Sequence, residues 1–369
     1  MECLLDKNQE RKIRVFVVDD SPLVRRSLEG IIAADPCLEV AETAADGKEA
    51  LRKMSNISWD VCTLDWQMPG MNGLTVLKHI MIRHPRPTLM LSSFTSDGAK
   101  ITFDALRYGA VDFLQKPGGD TGQSLVEHRE LLRSRIKRAA RVHVSVARYM
   151  RLKNLDQSKP LLSEKVSESP GSSQARGGLL VVLAATGGYA SLLNILPNLV
   201  AAPKVPVVLM LSAISGALDA FVEYVSQFVP SDVIRLHRDN LGVLEAGKIY
   251  VSGMGDRLIV QNREDEGVFY CLEQSKTPFE LFDIIVDGDT DGWLGHLATV
   301  VLSSGRQEGI TGLSSLHDVG SRIIAQSPDT CLVEELPRYA LDNLNAQQMA
   351  PSDISDFISG WHYSKHGEK

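Results

Sequence analysis

Residues 13–33 read IRVFVVDDSPLVRRSLEGIIA, and this stretch decides the fold of the first third of the chain. Ile13 to Val18 is a continuous apolar-rich run of strand length. It stops at an acidic pair, Asp19-Asp20, and Ser21-Pro22 then supplies a helix N-cap with proline at the first helical position. The helix so opened is predicted to put Leu23, Val24, Leu28, Ile31 and Ile32 on one face. The alternation recurs, with Val61 to Leu64, Thr88 to Leu91 and Val111 to Leu114 as further strands between amphipathic helical stretches. Short runs buried on both faces and separated by helices imply a parallel sheet in a doubly wound, flavodoxin-like fold. In such a sheet the ligand crevice lies outside the carboxyl ends of the strands. Asp19, Asp20, Asp65, Ser92 and Lys116 all fall at that edge.

The chemistry of this set is coherent. Three carboxylates held close together repel one another unless a hard cation is shared among them, and oxygen-only ligands favour Mg²⁺. Such an ion also neutralises an incoming phosphate. The Lys116 ammonium can meet phosphoryl oxygens, and the Ser92 hydroxyl can hydrogen-bond a phosphate carried on Asp65. The cluster therefore reads as a site that accepts a phosphoryl group on a carboxylate.

Composition sets the outer limits. A chain of 369 residues with 44% hydrophobic and 23% charged residues is long enough for two domains. A net charge of −7 and the lack of an extended basic block argue against nucleic acid, and no helix-turn-helix is recognisable. No apolar run reaches the roughly 18 to 20 residues of a membrane span, and the charged N-terminal stretch is unlike a signal peptide, so a cytoplasmic protein without membrane insertion is expected. The five cysteines (Cys3, Cys37, Cys62, Cys271, Cys331) are scattered and odd in number, and are expected to be buried free thiols.

The chain divides in the middle. Residues 156–178 are rich in Ser, Gly, Pro and charge, a composition that cannot bury enough apolar surface to offset its ordering entropy. Just before this linker, Leu125, Leu132, Ile136 and Ala140 recur at helical spacing among many basic residues. From Leu179 onwards strand and helix alternate again. Leu180 to Leu183, Val207 to Leu211 and Thr299 to Leu302 read as strands of a second α/β domain with a mostly parallel sheet. The expected organisation is a first domain at 12–122, a helix and flexible linker at 123–178, and a second domain at 179–365.

The segments VFVVDDSPLVRRSL, CTLDWQMPGMNGL, LMLSSFTSDG and YGAVDFLQKP closely resemble a two-component receiver domain. That resemblance implies that Asp65 accepts phosphate from a histidine kinase and that Asp20, Asp65 and the Gln67 backbone carbonyl hold Mg²⁺, with Asp19 assisting through water. It further implies that Ser92 and Lys116 stabilise the phosphorylated state, that Phe113 is the aromatic switch, and that the Lys116-Pro117 peptide is cis. In the second half VVLAATGGYASL, VLEAGKIYVS, VVLSSGRQEGITGL and AQSPDTCLVEELPRYALD are similar to the effector domain of the chemotaxis protein-glutamate methylesterases. Receiver, linker and effector follow that family's order.

The family's ester cleavage needs a serine nucleophile, a histidine base and an orienting aspartate. Each position departs here. Ala185 stands at the serine of a GASTGG-like turn, Ser212 at the histidine of a QHMP-like turn, and Glu308 at the aspartate of a GMGxDG-like loop in which Arg306 replaces a glycine. Losing the serine or the histidine of such a triad costs on the order of a million-fold in turnover. The resemblance thus implies a phosphorylation-controlled response regulator whose inert effector binds a chemoreceptor tail, competes with an active enzyme, or drains phosphate. The competing expectation is a working methylesterase and glutamine deamidase with relocated groups. Ser191, Ser212, Ser303 and Ser304 are its candidate hydroxyls and His237, His296 and His317 its candidate imidazoles. Gly253-Met254-Gly255-Asp256 mimics the acid loop only superficially and is read as a turn after the Ile249 to Val251 strand.

Overall fold

The computed structural model describes residues 11–92, 103–116, 125–142, 178–211, 215–238, 240–253, 255–263, 267–275, 282–287, 293, 295–306 and 309–362. The chain divides into two compact units, Met1–Gln157 and Ser158–Lys369.

In the first unit β1 (Ile13–Val18), β2 (Leu38–Ala44), β3 (Val61–Asp65), β4 (Thr88–Ser92) and β5 (Asp112–Gln115) form one parallel sheet in the order β2-β1-β3-β4-β5. The strand order reverses at β1 and β3, so the crevice of a doubly wound sheet opens outside their carboxyl ends. Every residue of β3 and the last four of β1 are buried, as a strand covered by helices on both faces requires.

Three short polar side chains start the helices around this sheet. Ser21 Oγ accepts the Val24 N–H, Asp46 accepts that of Glu49, and Asn72 accepts that of Thr75. On the first helix, Pro22–Ala33, the predicted face is buried at Leu28, Ile31 and Ile32, but Leu23 is 77% exposed. At about 100° per residue Leu23 lies roughly 140° around the axis from Leu28, outside the apolar stripe.

The basic helix Leu125–Ala139 is held to this unit. Leu132 and Ile136 are buried; Arg133 Nε donates to the Ile31 carbonyl at 3.0 Å, Lys137 pairs with Asp35 at 2.8 Å, and Arg135 pairs with Asp112. Its cations therefore serve as clamps on the end of the first helix and on β5. Cys62 is a buried free thiol, whereas Cys271 and Cys331 are free but only half-buried and Cys37 is disulfide-bonded. The expectation of five buried free thiols fails at those three.

The second unit carries two sheets. A seven-stranded parallel sheet has the order β16-β15-β14-β6-β7-β10-β8, built from β6 (Leu179–Ala184), β7 (Val207–Leu211), β8 (Val233–Arg235), β10 (Ile249–Gly253), β14 (Leu297–Val301), β15 (Arg322–Gln326) and β16 (Gln347–Met349). Its central strands β14, β6 and β7 are buried throughout, and here the strand order reverses between β14 and β6. A smaller sheet in the order β13-β11-β12-β9 joins β9 (Leu241–Leu244), β11 (Asp256–Arg263), β12 (Gly267–Gln274) and β13 (Asp283–Asp287), with antiparallel pairing except between β11 and β13. The segment read as a turn does connect β10 to β11. Asp256 begins β11, accepting the Gly253 N–H and pairing with Arg238 at 2.8 Å.

Candidate functional site

The acidic set predicted from strand ends is assembled at the β1/β3 crevice. Asp19, Asp20 and Asp65 each present a carboxylate oxygen within 4.8 Å of the other two. Asp19 and Asp65 are fully buried and Asp20 is half-buried. Lys116, just past β5, reaches back over the edge, with Nζ 3.0 Å from Asp19 Oδ2 and 2.7 Å from Asp65 Oδ2. Local backbone fixes the carboxylates: Asp19 Oδ1 accepts the Ser21 N–H and Asp65 Oδ1 the Gln67 N–H. The Arg25 guanidinium, which the sequence reading did not single out, donates to the Asp19 carbonyl at 2.6 Å.

Crowding in this corner is severe. A Cβ added at Gly73 meets the Asp65 carbonyl oxygen at 2.2 Å, so the turn after Asp65 closes only on glycine. Trp66 directly follows Asp65, with its N–H donating to the Leu91 carbonyl. Ser92 ends β4 in register with Gln115, next to the strand that carries Asp65. Phe113 is half-buried with its ring edge-on to Phe103 at 6.3 Å. The predicted cis bond involves Pro117, which lies outside the described residues.

Electrostatics follow from the burial. Desolvation pushes the Asp65 carboxyl up to about 6, against the downward pull of Lys116 and the Gln67 N–H. Burial alone pulls the Lys116 ammonium down, but Asp65 and Asp19 outweigh it and hold it above its ordinary value. Three carboxylates and one ammonium sum to −2, the charge a divalent cation neutralises, and every donor is oxygen, as Mg²⁺ prefers.

A pH dependence follows. With the folded value near 6 and the ordinary value 3.8, the folded receiver binds the Asp65 proton more tightly than the unfolded chain. The resulting stability is complete below about pH 4 and is lost as pH rises through about 6. In EDTA, urea titrations between pH 4 and pH 7 are expected to show a decline of up to about 3 kcal/mol in the wild type. Asp65→Asn is expected to flatten that slope, and an equal slope in both proteins would assign the effect elsewhere.

The corresponding edge of the second unit is built differently. Ala185 follows β6, and Ser303 and Ser304 lie just beyond neighbouring β14. Ala185 is 1% exposed. Its N–H is already engaged, with the Ser304 Oγ at 3.1 Å and the Ser303 carbonyl at 3.3 Å. The Ser303 hydroxyl donates to the Thr186 carbonyl at 2.8 Å and accepts the Val333 N–H at 2.8 Å, while Gln326 Oε1 accepts the Ser303 N–H at 3.1 Å. Gly187, at φ +79°, sits beneath Leu332, whose Cβ is 2.4 Å from where a side chain would begin.

Ser212 and Glu308 lie outside the described residues. Of the histidines weighed as relocated bases, His296 precedes β14 and so occupies the opposite edge of the sheet. His237 follows β8, three strands from β6, and His317 is exposed near the C-terminal end of the helix Ile310–Asp318. None of the three adjoins Ala185. Ser303 and Ser304 do, but both hydroxyls are buried and committed to hydrogen bonds.

Comparison with known proteins agrees with both halves. The response regulator receiver domain model matches residues 15–127 and the CheB methylesterase model residues 180–358. A protein-glutamate methylesterase/protein-glutamine glutaminase of Pyrococcus horikoshii is 31% identical over 345 residues, covering 92% of this chain and 91% of its own. One from Hahella chejuensis is 30% identical over 362 residues, covering 96% and 98%. The crystal structure of the response regulator domain of Thermotoga maritima CheB is 43% identical, covers 36% of this chain and 99% of its own, and superposes with a TM-score of 0.33.

Fold and site thus define a two-component response regulator. The chain belongs to the chemotaxis protein-glutamate methylesterase family, in which a receiver precedes an ester hydrolase domain. A receiver implies a histidine kinase as phosphodonor, and the family acts on chemoreceptors. Among the described residues no helix is long and apolar enough to cross a membrane.

Proposed function

We propose that this protein is a phosphorylation-controlled regulator whose effector works by binding and not by hydrolysis. The observation that carries the reading is the contrast between the two strand edges. One gathers Asp19, Asp20, Asp65 and Lys116 around an open charge balance, and the other has an alanine whose amide is already used.

In the receiver half, an Asp65 oxygen attacks the phosphorus of a phosphohistidine. The O–P bond forms as the N–P bond breaks, and the imidazole nitrogen keeps the electron pair. Asp20, Asp65 and the Gln67 carbonyl would hold Mg²⁺, with Asp19 assisting through water; when bound, the ion neutralises the charge gathered between carboxylates and phosphate. Lys116, which bridges Asp19 and Asp65, exchanges a carboxylate partner for a phosphoryl oxygen. Ser92 takes a further phosphoryl oxygen. With those two contacts made, the packing of Phe113 against Phe103 is the element whose population shifts.

In the effector half, ester attack requires a hydroxyl with an imidazole in reach and free N–H groups aimed at the developing oxyanion. Ala185 supplies no hydroxyl, and its N–H is bonded within the protein. The retained fold is then a docking module for a chemoreceptor tail, a competitor of an active methylesterase, or an outlet that drains phosphate from the kinase.

The alternative, an active methylesterase and glutaminase, draws on whole-chain identity to relatives that bear that name. Methanol release from methylated chemoreceptor separates the two. The phosphorylated protein is expected to release none above background. Release that Asp65→Ala reduces would establish the alternative.

A further inference from the structure

The three carboxylates of the receiver site are not held alike. Asp19 is fixed by the Ser21 N–H and by Lys116, and Asp65 by the Gln67 N–H and the same ammonium. Asp20 has no such tether: among the described residues its carboxylate takes part in no hydrogen bond and no ion pair. Half-buried, and with an oxygen within 4.8 Å of the other two carboxylates, it is aimed by its backbone alone.

That backbone is braced from the first helix. The Asp19 carbonyl belongs to the peptide plane that carries the Asp20 N–H, so turning this plane changes ψ of Asp19 and φ of Asp20 together. Any such turn swings the Asp20 Cβ and the carboxylate with it. Arg25 Nη1 donates to that carbonyl at 2.6 Å, a charge-assisted bond from a half-buried guanidinium. The helix that carries the arginine is pinned at its start, where Ser21 Oγ accepts the Val24 N–H and the Ser21 carbonyl accepts that of Arg25. Long side chains on a helix lean towards its N-terminus, which brings Arg25 back to a carbonyl 6 positions earlier. On the other side, the Asp19 N–H is anchored on the Ala44 carbonyl.

We propose that Arg25 is a positioning residue that aims Asp20 at the Mg²⁺ of the phosphorylation site, through the bond it makes to the Asp19-Asp20 peptide and not through its field. This role rests on the reading of Asp65 as phosphoacceptor. The field alone gives the opposite sign: a positive charge beside the site repels Mg²⁺, and its removal would tighten binding, most of all at low salt. Loss of the brace instead lets Asp20 turn away, which weakens binding at any salt. Groups that orient a metal ligand from behind are worth about 10 to 100-fold in affinity, and a carbonyl that water can solvate in the arginine's place puts Arg25 at the lower end.

Mg²⁺ titrations of the full-length protein, followed by Trp66 fluorescence, decide between the two signs. Arg25→Ala, which keeps a good helix former in place, is expected to raise the Kd for Mg²⁺ about ten-fold at both low and high salt. Arg26→Ala removes the same charge from the exposed neighbouring side chain and is expected to leave the Kd within about two-fold of the wild type. Arg25→Lys keeps a charged donor without the guanidinium fork and is expected to fall between the wild type and Arg25→Ala. With a small phosphodonor, the Mg²⁺ concentration for half-maximal phosphate uptake is expected to rise in step with the Kd, by more than the rate at saturating Mg²⁺ falls. An Arg25→Ala Kd at or below that of the wild type overturns the role. So does a urea midpoint in EDTA that falls together with the saturated rate, which would make Arg25 a structural residue. A wild type that shows no response to Mg²⁺ overturns the phosphorylation reading itself, and this role with it.

Discussion

Asp65→Asn is expected to take up no phosphate from a histidine kinase or from a small phosphodonor in the presence of Mg²⁺, under conditions where the wild type is expected to do so. The loss is expected to be complete, since an amide oxygen of the same shape carries no charge with which to attack phosphorus. Neighbouring carboxylates do not substitute. The Asp19 oxygens are committed to the Ser21 N–H and Lys116, and Asp20 belongs to the proposed cation shell. Replacing the carboxylate by an amide also removes the desolvation cost that pushes Asp65 up, so the variant is expected to stay folded and the loss to report chemistry. Trp66, next in sequence, supplies the readout: Mg²⁺ and a phosphodonor are expected to change its fluorescence, and Asp65→Asn to abolish the phosphodonor-dependent part. Acid-labile phosphate that persists in the variant would place the acceptor at another residue. A wild-type signal indifferent to both reagents, where a control receiver responds, would remove the site altogether.

The placement of Asp19, Asp65 and Lys116 at one sheet edge is legible in the sequence because these residues terminate apolar runs. In a parallel sheet buried on both faces, the first charged residue after the run marks the strand end. Asp19, Asp65 and Lys116 each do this within one residue of the observed boundary. Strand β2 escaped the reading for the converse reason. As an edge strand it carries Glu39 and Glu42 in LEVAETA, and only its two end residues are buried, so no apolar run announces it. The hairpin of β11 and β12 was missed for a related reason. Its outward face holds Ile259, Phe269 and Cys271 where polar residues would have completed a clean alternation. The hydroxyl network around Ala185 was beyond reach on grounds of distance. The Ser303 bond to Thr186 spans 117 positions and that to Val333 spans 30, and nothing in either local sequence specifies the meeting.

Ala185→Ser, which restores a hydroxyl at the position where the family resemblance places the nucleophile, is expected to release no methanol above background from methylated chemoreceptor. Groups of a triad act as a unit, so supplying one while the other is missing recovers almost nothing of the roughly million-fold that either contributes. Among the described residues no imidazole stands beside position 185. His296 sits at the far edge of the sheet, His237 three strands away, and His317 near the distant end of its helix. Nor is an oxyanion served, because the Ala185 N–H is held by Ser303 and Ser304, and a donor already bonded stabilises no developing charge until that bond is given up. Burial works in the same direction: position 185 is 1% exposed and Gly187, two residues on, lies under Leu332, so among the described residues this turn offers a substrate carbonyl no approach. Adding Ser304→Ala to Ala185→Ser frees one of the two acceptors on that N–H and is still expected to be silent, because the missing base dominates. Turnover from Ala185→Ser alone would mean that a base stands within hydrogen-bond reach of position 185, and the effector would then be an esterase short of a single atom.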